Sequence, residues 1–590
     1  MYHNETPVEH SDRRLNSGST SDPAVSDDTV LTARVRIAAW FLLILAGVIE
    51  AVFSRRVVWA DGISYLDMGD AIMRGDWGMA INAYWSPLYP CLQGLALRVL
   101  KPSAYSEFAV LYFVNFLTYL FALACFDFLL RTTVADWPPP ADVPGESLRL
   151  PKWAVFGVGY SVFLWSSLTL ISMQSPTPDL LMAGLLYLAV GLLLRIWARP
   201  QRFSLFVALG AVLGFGYLAK AAVFPLAFLF FAILWFVGGG WRSAAPRVLV
   251  AMLVFLVVSG PWFMALSRAK GKFTFGDTGR FNYVREVNGA SPNPYFQNPG
   301  TASGHFVHPV RKLFDTPPIY EFATPIKGTL PIWYNPSYWS EGAAPLISVK
   351  RQLSVIQRWL MFYFDMFLPN QAALLVGFVV LCLMAGRNLV LRQLAARWPV
   401  WLVALAGLGM YALVFVEPRY VAVFFALLWV GLYSGLRTPA GREGRRLVSL
   451  VTLAVVIAVA SPVAVSVVGH LNRVLKGQPH NQWQVAEDLR SMGIKPGDPI
   501  ARIGGLFNVG WARLLRVTIV AEVPRANWRE FWCAKPEVQA QVIETFRRLG
   551  ATAIVAEQTP GNEVYLPGPE WHKLGDGTFY ALRLAPESPK

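Results

Sequence analysis

Ile37-Ala-Ala-Trp-Phe-Leu-Leu-Ile-Leu-Ala-Gly-Val-Ile-Glu-Ala-Val-Phe53 carries one charged residue, Glu50, in an otherwise apolar run. As a helix rising about 1.5 Å per residue it nearly matches the roughly 30 Å apolar core of a bilayer. Ten more runs follow: Phe108–Leu130, Trp153–Ile171, Leu180–Ile196, Phe203–Leu218, Ala221–Val237, Val248–Ala265, Trp359–Ala385, Val400–Val416, Tyr420–Leu436 and Leu447–Val468. In lipid an open strand leaves its backbone unpaired, so each run is expected to be a helix. Leu88–Leu100 is apolar but short, and reads as an interfacial or re-entrant helix.

Composition agrees. Of 590 residues, 55% are hydrophobic and only 15% charged, against roughly 25% charged in ordinary soluble chains. Mean hydropathy is +0.42. A soluble multidomain protein and a largely disordered one are both excluded. Cys91, Cys125, Cys382 and Cys533 are scattered without CxxC spacing, which argues against a disulfide framework or a zinc site. Met1–Thr32 is polar and aperiodic and reads as a disordered cytoplasmic tail. No small-residue cleavage site follows the first run, which is therefore expected to be an uncleaved signal anchor.

The net charge of +15 has a topological explanation. With the N-terminus cytoplasmic, Arg34, Arg36, Arg131, Arg195, Arg199, Arg202, Arg242, Arg247, Arg397, Arg442, Arg445 and Arg446 collect on the inner side. That leaves no basic face outside the membrane for nucleic acid. The expectation is an α-helical polytopic membrane protein of about eleven transmembrane helices, in a cytoplasmic (inner) membrane. The transmembrane domain would be 33–470, with outer loops 54–107 and 267–358. The tail 471–590 would be a small extracytoplasmic (periplasmic) α/β domain. In that tail Gln484–Met492 and Pro536–Leu549 read as helices, and Ile500–Ile503, Val517–Val523, Thr552–Ala556 and Thr578–Leu584 as strands. Ile503-Gly504-Gly505 follows a strand, but the dinucleotide-binding pattern is absent.

Four short features fall on the outer side. Asp61 follows the first run, with Asp67 and Asp70 further along and Tyr84-Trp85-Ser86-Pro87-Leu88-Tyr89-Pro90 behind them. This stretch reads equally as a solvated acidic helix with aromatic interface anchors. Thr177-Pro178-Asp179 precedes a run, where a helix N-terminus alone would explain all three residues. Lys220 stands between two runs with almost no loop. It either snorkels or binds an anion such as a phosphate. Glu417-Pro418-Arg419-Tyr420 fills another minimal turn, as an internal ion pair or as a guanidinium that grips a phosphate. One topology brings all four to the same membrane face. Acids and cations together there suit binding of an anionic lipid head group and deprotonation of a second substrate. The long loop adds Thr316-Pro-Pro-Ile-Tyr320 and Trp333-Tyr-Asn-Pro-Ser-Tyr-Trp339. Its composition fits an aromatic-lined cover over a site, and a purely structural loop almost as well. His305 and His308 have H-x-x-H spacing but lack a helical pattern or an adjacent Glu.

The order of these motifs over Arg34 to Tyr420 resembles the C superfamily of membrane glycosyltransferases (GT-C), in its ArnT-like and protein O-mannosyltransferase-like branch. The resemblance implies transfer of a sugar from a polyprenyl-phosphate carrier to an extracytoplasmic acceptor of the cell envelope (glycolipid, polysaccharide or protein), with inversion. It implies catalytic roles for Asp61 and Asp179 and donor-phosphate binding by Lys220 and Arg419. Substrate contacts are expected from Asp67, Asp70, Tyr84, Trp85, Glu417, Tyr420, Tyr320 and Trp339. Many relatives place a second acid directly beside the first, where this chain has Gly62. No obligatory cofactor is therefore expected, a divalent metal being the alternative. A transporter or flippase of lipid-linked sugars would instead need polar residues at mid-span and repeated halves. A scaffold would depend on its tail alone.

Overall fold

The computed structural model describes residues 23–135, 147–289, 310–322, 328–336, 344–385, 395–439, 441–477, 481–505, 507–557 and 568–584. Trp339, His305 and His308 lie outside them. So do residues 1–22; the first helix begins at Pro23, inside the stretch read as tail. Proline is well suited to a first helical position, having no N–H to satisfy.

Among the described residues, six helices are long and apolar enough to cross a membrane: Asp28–Ser54, Ala104–Val134, Lys152–Ile171, Asp179–Ala198, Trp241–Lys270 and Arg442–Leu475. Val349–Phe367 and Gln371–Met384 meet at 79° and form a seventh if counted together. Phe203–Ala219, Val223–Val237, Trp398–Ala412 and Pro418–Ser434 are shorter apolar helices. Each of the eleven apolar runs falls on or overlaps one of these elements.

Burial sorts the helices. The most apolar stretches of Lys152–Ile171 and Asp179–Ala198 are 83% buried, which places them at the centre of the bundle. Those of Asp28–Ser54, Trp241–Lys270 and Arg442–Leu475 are only 22–28% buried. Their outward faces leave Ile37, Phe41, Leu253, Val257, Leu450 and Leu453 exposed. Helices apolar on both faces, yet half uncovered, are built for a hydrocarbon solvent. At the end of the bundle remote from Asp179, the buried Asp127 accepts hydrogen bonds from Arg36 (3.2 Å) and the Tyr160 hydroxyl (2.6 Å), and pairs with Arg131 at 2.8 Å.

At the opposite end, the chain leaves the first helix and forms the outer helix Ala60–Arg74, which crosses the helix Leu88–Leu100. Glycines permit the crossing. A Cβ on Gly69 would lie 2.7 Å from the Pro90 carbonyl oxygen, and one on Gly94 would lie 2.6 Å from the Gly69 carbonyl oxygen.

Above this layer stands a sheet with seven strands among the described residues. Its strands are β2 (Val310–Asp315), β3 (Pro318–Phe322), β5 (Pro499–Ile503), β6 (Thr518–Val523), β7 (Ala553–Glu557), β8 (His572–Leu574) and β9 (Phe579–Arg583), in the order β2-β3-β6-β5-β7-β9-β8. The short β1 (Ser147–Arg149) and β4 (Arg437–Pro439) pair separately. β5 runs parallel to β6 and β7, while the outer pairs are antiparallel. Alternate residues of β7 serve two cores, as the pleat requires. Ala553 and Val555 pack with Trp511, Leu489 and the outer-helix residues Ile63 and Leu66. Ile554 and Ala556 pack with Val542 and Phe546 of the helix Pro536–Arg548. The tail and the first outer loop thus share one apolar core. The hairpin β2–β3, drawn from the long loop, extends the tail's sheet through pairing of Tyr320 with Glu522.

Candidate functional site

The first turn of the outer helix carries Asp61. Its Oδ1 accepts a hydrogen bond from Trp333 Nε1 at 2.9 Å, and its Oδ2 accepts one from Arg419 Nη2 at 3.1 Å. Arg419 sits in the first turn of Pro418–Ser434, and its other terminal nitrogen is 4.0 Å from Asp179 Oδ2. Asp179 opens the central helix, 1% exposed. It accepts from the Thr177 hydroxyl at 2.7 Å and from the Lys220 ammonium. Lys220 ends Phe203–Ala219 in an extended conformation and lies 3.5 Å from the centre of the Tyr420 ring. A cation over an aromatic face retains favourable electrostatics where water is scarce. Burial lowers Lys220, in this turn between helices, to about 8, against the opposing pull of Asp179. Burial likewise raises Glu417 above the usual range of a glutamic acid.

The segment before Asp179 is held by specific contacts. The last turn of the preceding helix, Ser166–Ile171, widens into π-type hydrogen bonding, and Ser172 then takes φ 63°. Such widened turns recur at functional sites. Tyr112 donates its hydroxyl to the Gln174 carbonyl at 2.8 Å, and Asn115 donates to the Met173 carbonyl at 3.1 Å. Pro176 is thereby pressed onto the outer helix. A Cβ on Gly62 would lie 2.8 Å from Pro176 Cγ and 2.8 Å from Val58 Cγ1. The space beside Gly62 is filled by the proline ring and the valine side chain.

All four oxygens of Asp61 and Asp179 already accept from an indole, a guanidinium, an ammonium and a hydroxyl. A neighbouring carboxylate has no room.

Asp61, Asp179, Lys220 and Arg419 line one cavity of about 260 Å³, together with Tyr84, Trp85 and Tyr420. Tyr65, one helical turn after Asp61, joins them. The opposite wall is apolar, formed by Ala222, Pro225, Met410, Val414 and Phe415. The turn that presents Tyr84 and Trp85 is tied down by hydrogen bonds. Both backbone N–H groups donate to Asn82 Oδ1 (2.8 and 3.0 Å), and Asn82 Nδ2 and Trp85 Nε1 both donate to the Tyr334 carbonyl (2.8 and 2.9 Å). A second cavity of about 450 Å³ shares Asp61 and Arg419 with the first and adds Glu417, Trp59, Trp333 and Phe507.

Three expected contacts lie elsewhere. Asp67 and Asp70 are three residues apart and so share a helix face, but that face is turned away from Asp61. Both bind Arg513 of the tail, at 2.6 and 2.7 Å. Arg513 also donates to the buried Glu107, and Arg516 pairs with Glu107 at 3.0 Å. Asp67 further accepts from Thr329 N at 2.7 Å. These acids fasten the tail to the outer helix. Tyr320 lies in β3, paired within the sheet, and does not line either cavity. Trp333 is the residue that sequence reasoning passed over. It stood in the same aromatic segment as Trp339, and no local signal separates the two.

No family model matches the chain, and no curated protein matches it. Among solved structures, it is similar to ArnT from Cupriavidus metallidurans in the apo state, at 15% identity and TM-score 0.39, over 90% of this chain and 93% of that one. It is similar to the same protein bound to undecaprenyl phosphate, at 15% identity and TM-score 0.40, over 93% and 99%. A third is the Archaeoglobus fulgidus oligosaccharyltransferase in complex with Zn and sulfate, at 13% identity and TM-score 0.42, over 87% of this chain and 67% of that one.

Proposed function

We propose that the protein is an integral membrane glycosyltransferase, crossing the membrane about eleven times with the tail and both cavities on the extracytoplasmic side. It takes a sugar from a polyprenyl-phosphate donor and passes it to an acceptor hydroxyl. The observation that carries this reading is the meeting of Asp61, Asp179, Lys220 and Arg419, from four distant chain segments, around one cavity with an apolar wall.

In this reading the apolar wall receives the first prenyl units and Lys220 and Arg419 take the phosphate. The two cations are held ready by Asp179 and Asp61. An arriving phosphate competes for them, drawing Arg419 from Asp61 and leaving that carboxylate able to accept a proton. Asp61 then removes the proton of the acceptor hydroxyl as its oxygen attacks the anomeric carbon. General-base assistance of this kind is typically worth about 10²–10⁴ in rate. The polyprenyl phosphate departs with the bonding electrons, and Lys220 and Arg419 stabilise its growing charge. Attack in line with the departing phosphate inverts the anomeric centre. Asp179 keeps Lys220 oriented throughout.

The test is incubation of the purified protein in lipid nanodiscs with a panel of polyprenyl-phosphate sugars and a membrane glycolipid extract. Release of polyprenyl phosphate from one donor, with an inverted glycoside as product, is expected. Intact donors across the panel would end the proposal.

A further inference from the structure

The second cavity has a composition that the donor has no use for. Apart from Arg419 it contains no cation among its lining residues, and it adds the carboxylate of Glu417. Its walls are three aromatic side chains. Trp59, two residues before Asp61, is 53% exposed and lines the cavity. Trp333 is fixed by its bond to Asp61 and lies against Phe507 of the tail, with ring centres 4.4 Å apart and planes inclined at 57°. Ser172 and Ser175 supply hydroxyls.

We propose that this cavity is the acceptor site and that its occupant is a saccharide unit, the end of a glycan or the head group of a glycolipid. The acceptor role rests on the transferase reading above. Rigid aromatic faces bury the C–H faces of a sugar ring at little entropic cost, and a carboxylate and hydroxyls exchange hydrogen bonds with its hydroxyl groups. Two carboxylates against one guanidinium disfavour an anionic acceptor. Trp333 joins this wall directly to Asp61, so a sugar stacked there holds a hydroxyl beside the proposed base.

The test is saturation-transfer NMR on the full-length protein in nanodiscs. The probes are mannotriose and chitotriose, each free and as its dodecyl glycoside, and a Ser/Thr-rich octapeptide. Saturation of saccharide ring protons is expected, with binding weakened at least tenfold by Trp59→Ala and by Phe507→Ala, and severalfold by Glu417→Gln. Trp59 is exposed, so its variant is expected to retain the wild-type melting temperature. Stronger binding of the dodecyl forms identifies a glycolipid head group, and equal binding a glycan end. Binding of the peptide alone, of no probe, or of a saccharide indifferent to both aromatic variants overturns the proposal. Donor cleavage is read on the same preparation. Saccharide binding without donor cleavage removes the transferase reading but leaves the saccharide site standing. Donor cleavage without saccharide binding does the reverse.

Discussion

Asp61 meets donors from residues 272 and 358 positions away in the chain, and Asp179 meets one 41 positions away. The acids and cations were legible because charge beside an apolar run is costly and so calls for an explanation. Trp333 was not legible, because an indole that binds a carboxylate and one that anchors a loop look alike in sequence. Lys220 gives a residue-scale prediction. Burial holds it at about 8, so its charge is present below that pH and lost above it. Donor kcat/KM is expected to fall about tenfold per pH unit above pH 8, a slope that a pH–rate profile measures. Lys220→Arg should keep the profile level to pH 10, since a guanidinium stays charged. A level wild-type profile would remove Lys220 from phosphate binding. Gly62 gives a second. Gly62→Ala places a methyl group against Pro176 and Val58. Overpacking of this kind costs about 1–3 kcal/mol, and a lowered thermal midpoint together with reduced turnover is the expected result.

Among elements, the apolar helices were the most readable part of the chain, since apolar runs of that length hardly admit another state in lipid. The strands β5, β6, β7 and β9 fell within a residue or two of their expected places. The hairpin β2–β3 was hidden because it pairs with β6 across about two hundred residues, and pairing partners leave no local trace. The partner of Asp67 and Asp70 was hidden for a related reason. Helical spacing shows that they share a face, but not that Arg513 waits opposite. Arg513 is 3% exposed and touches three carboxylates. Its removal leaves buried acids without their partner, a change usually worth about 3–5 kcal/mol. Arg513→Ala should therefore detach the tail from the outer helix, read as faster limited proteolysis of residues 481–584, with Arg513→Lys only partly protected. Unchanged proteolysis of Arg513→Ala would show that the shared apolar core alone suffices.

At the scale of the molecule, the two ends of the bundle differ. Arg36 and Arg131 converge on Asp127 at one end, while the cavities and the sheet occupy the other. Cys533 in the tail is exposed and Cys125 in the bundle is buried, so a membrane-impermeant maleimide distinguishes the two faces. Labelling of Cys533 in right-side-out vesicles, and its protection in inverted ones, is expected of an extracytoplasmic tail; the opposite pattern would reverse the orientation. The most direct measurement compares polyprenyl phosphate release by the wild-type protein and by Asp61→Asn in nanodiscs. With a cognate donor and acceptor, the variant should lose at least a hundredfold in rate while melting within a few degrees of the wild type. Equal rates for the two proteins would show that the chemistry, whatever it is, happens without Asp61.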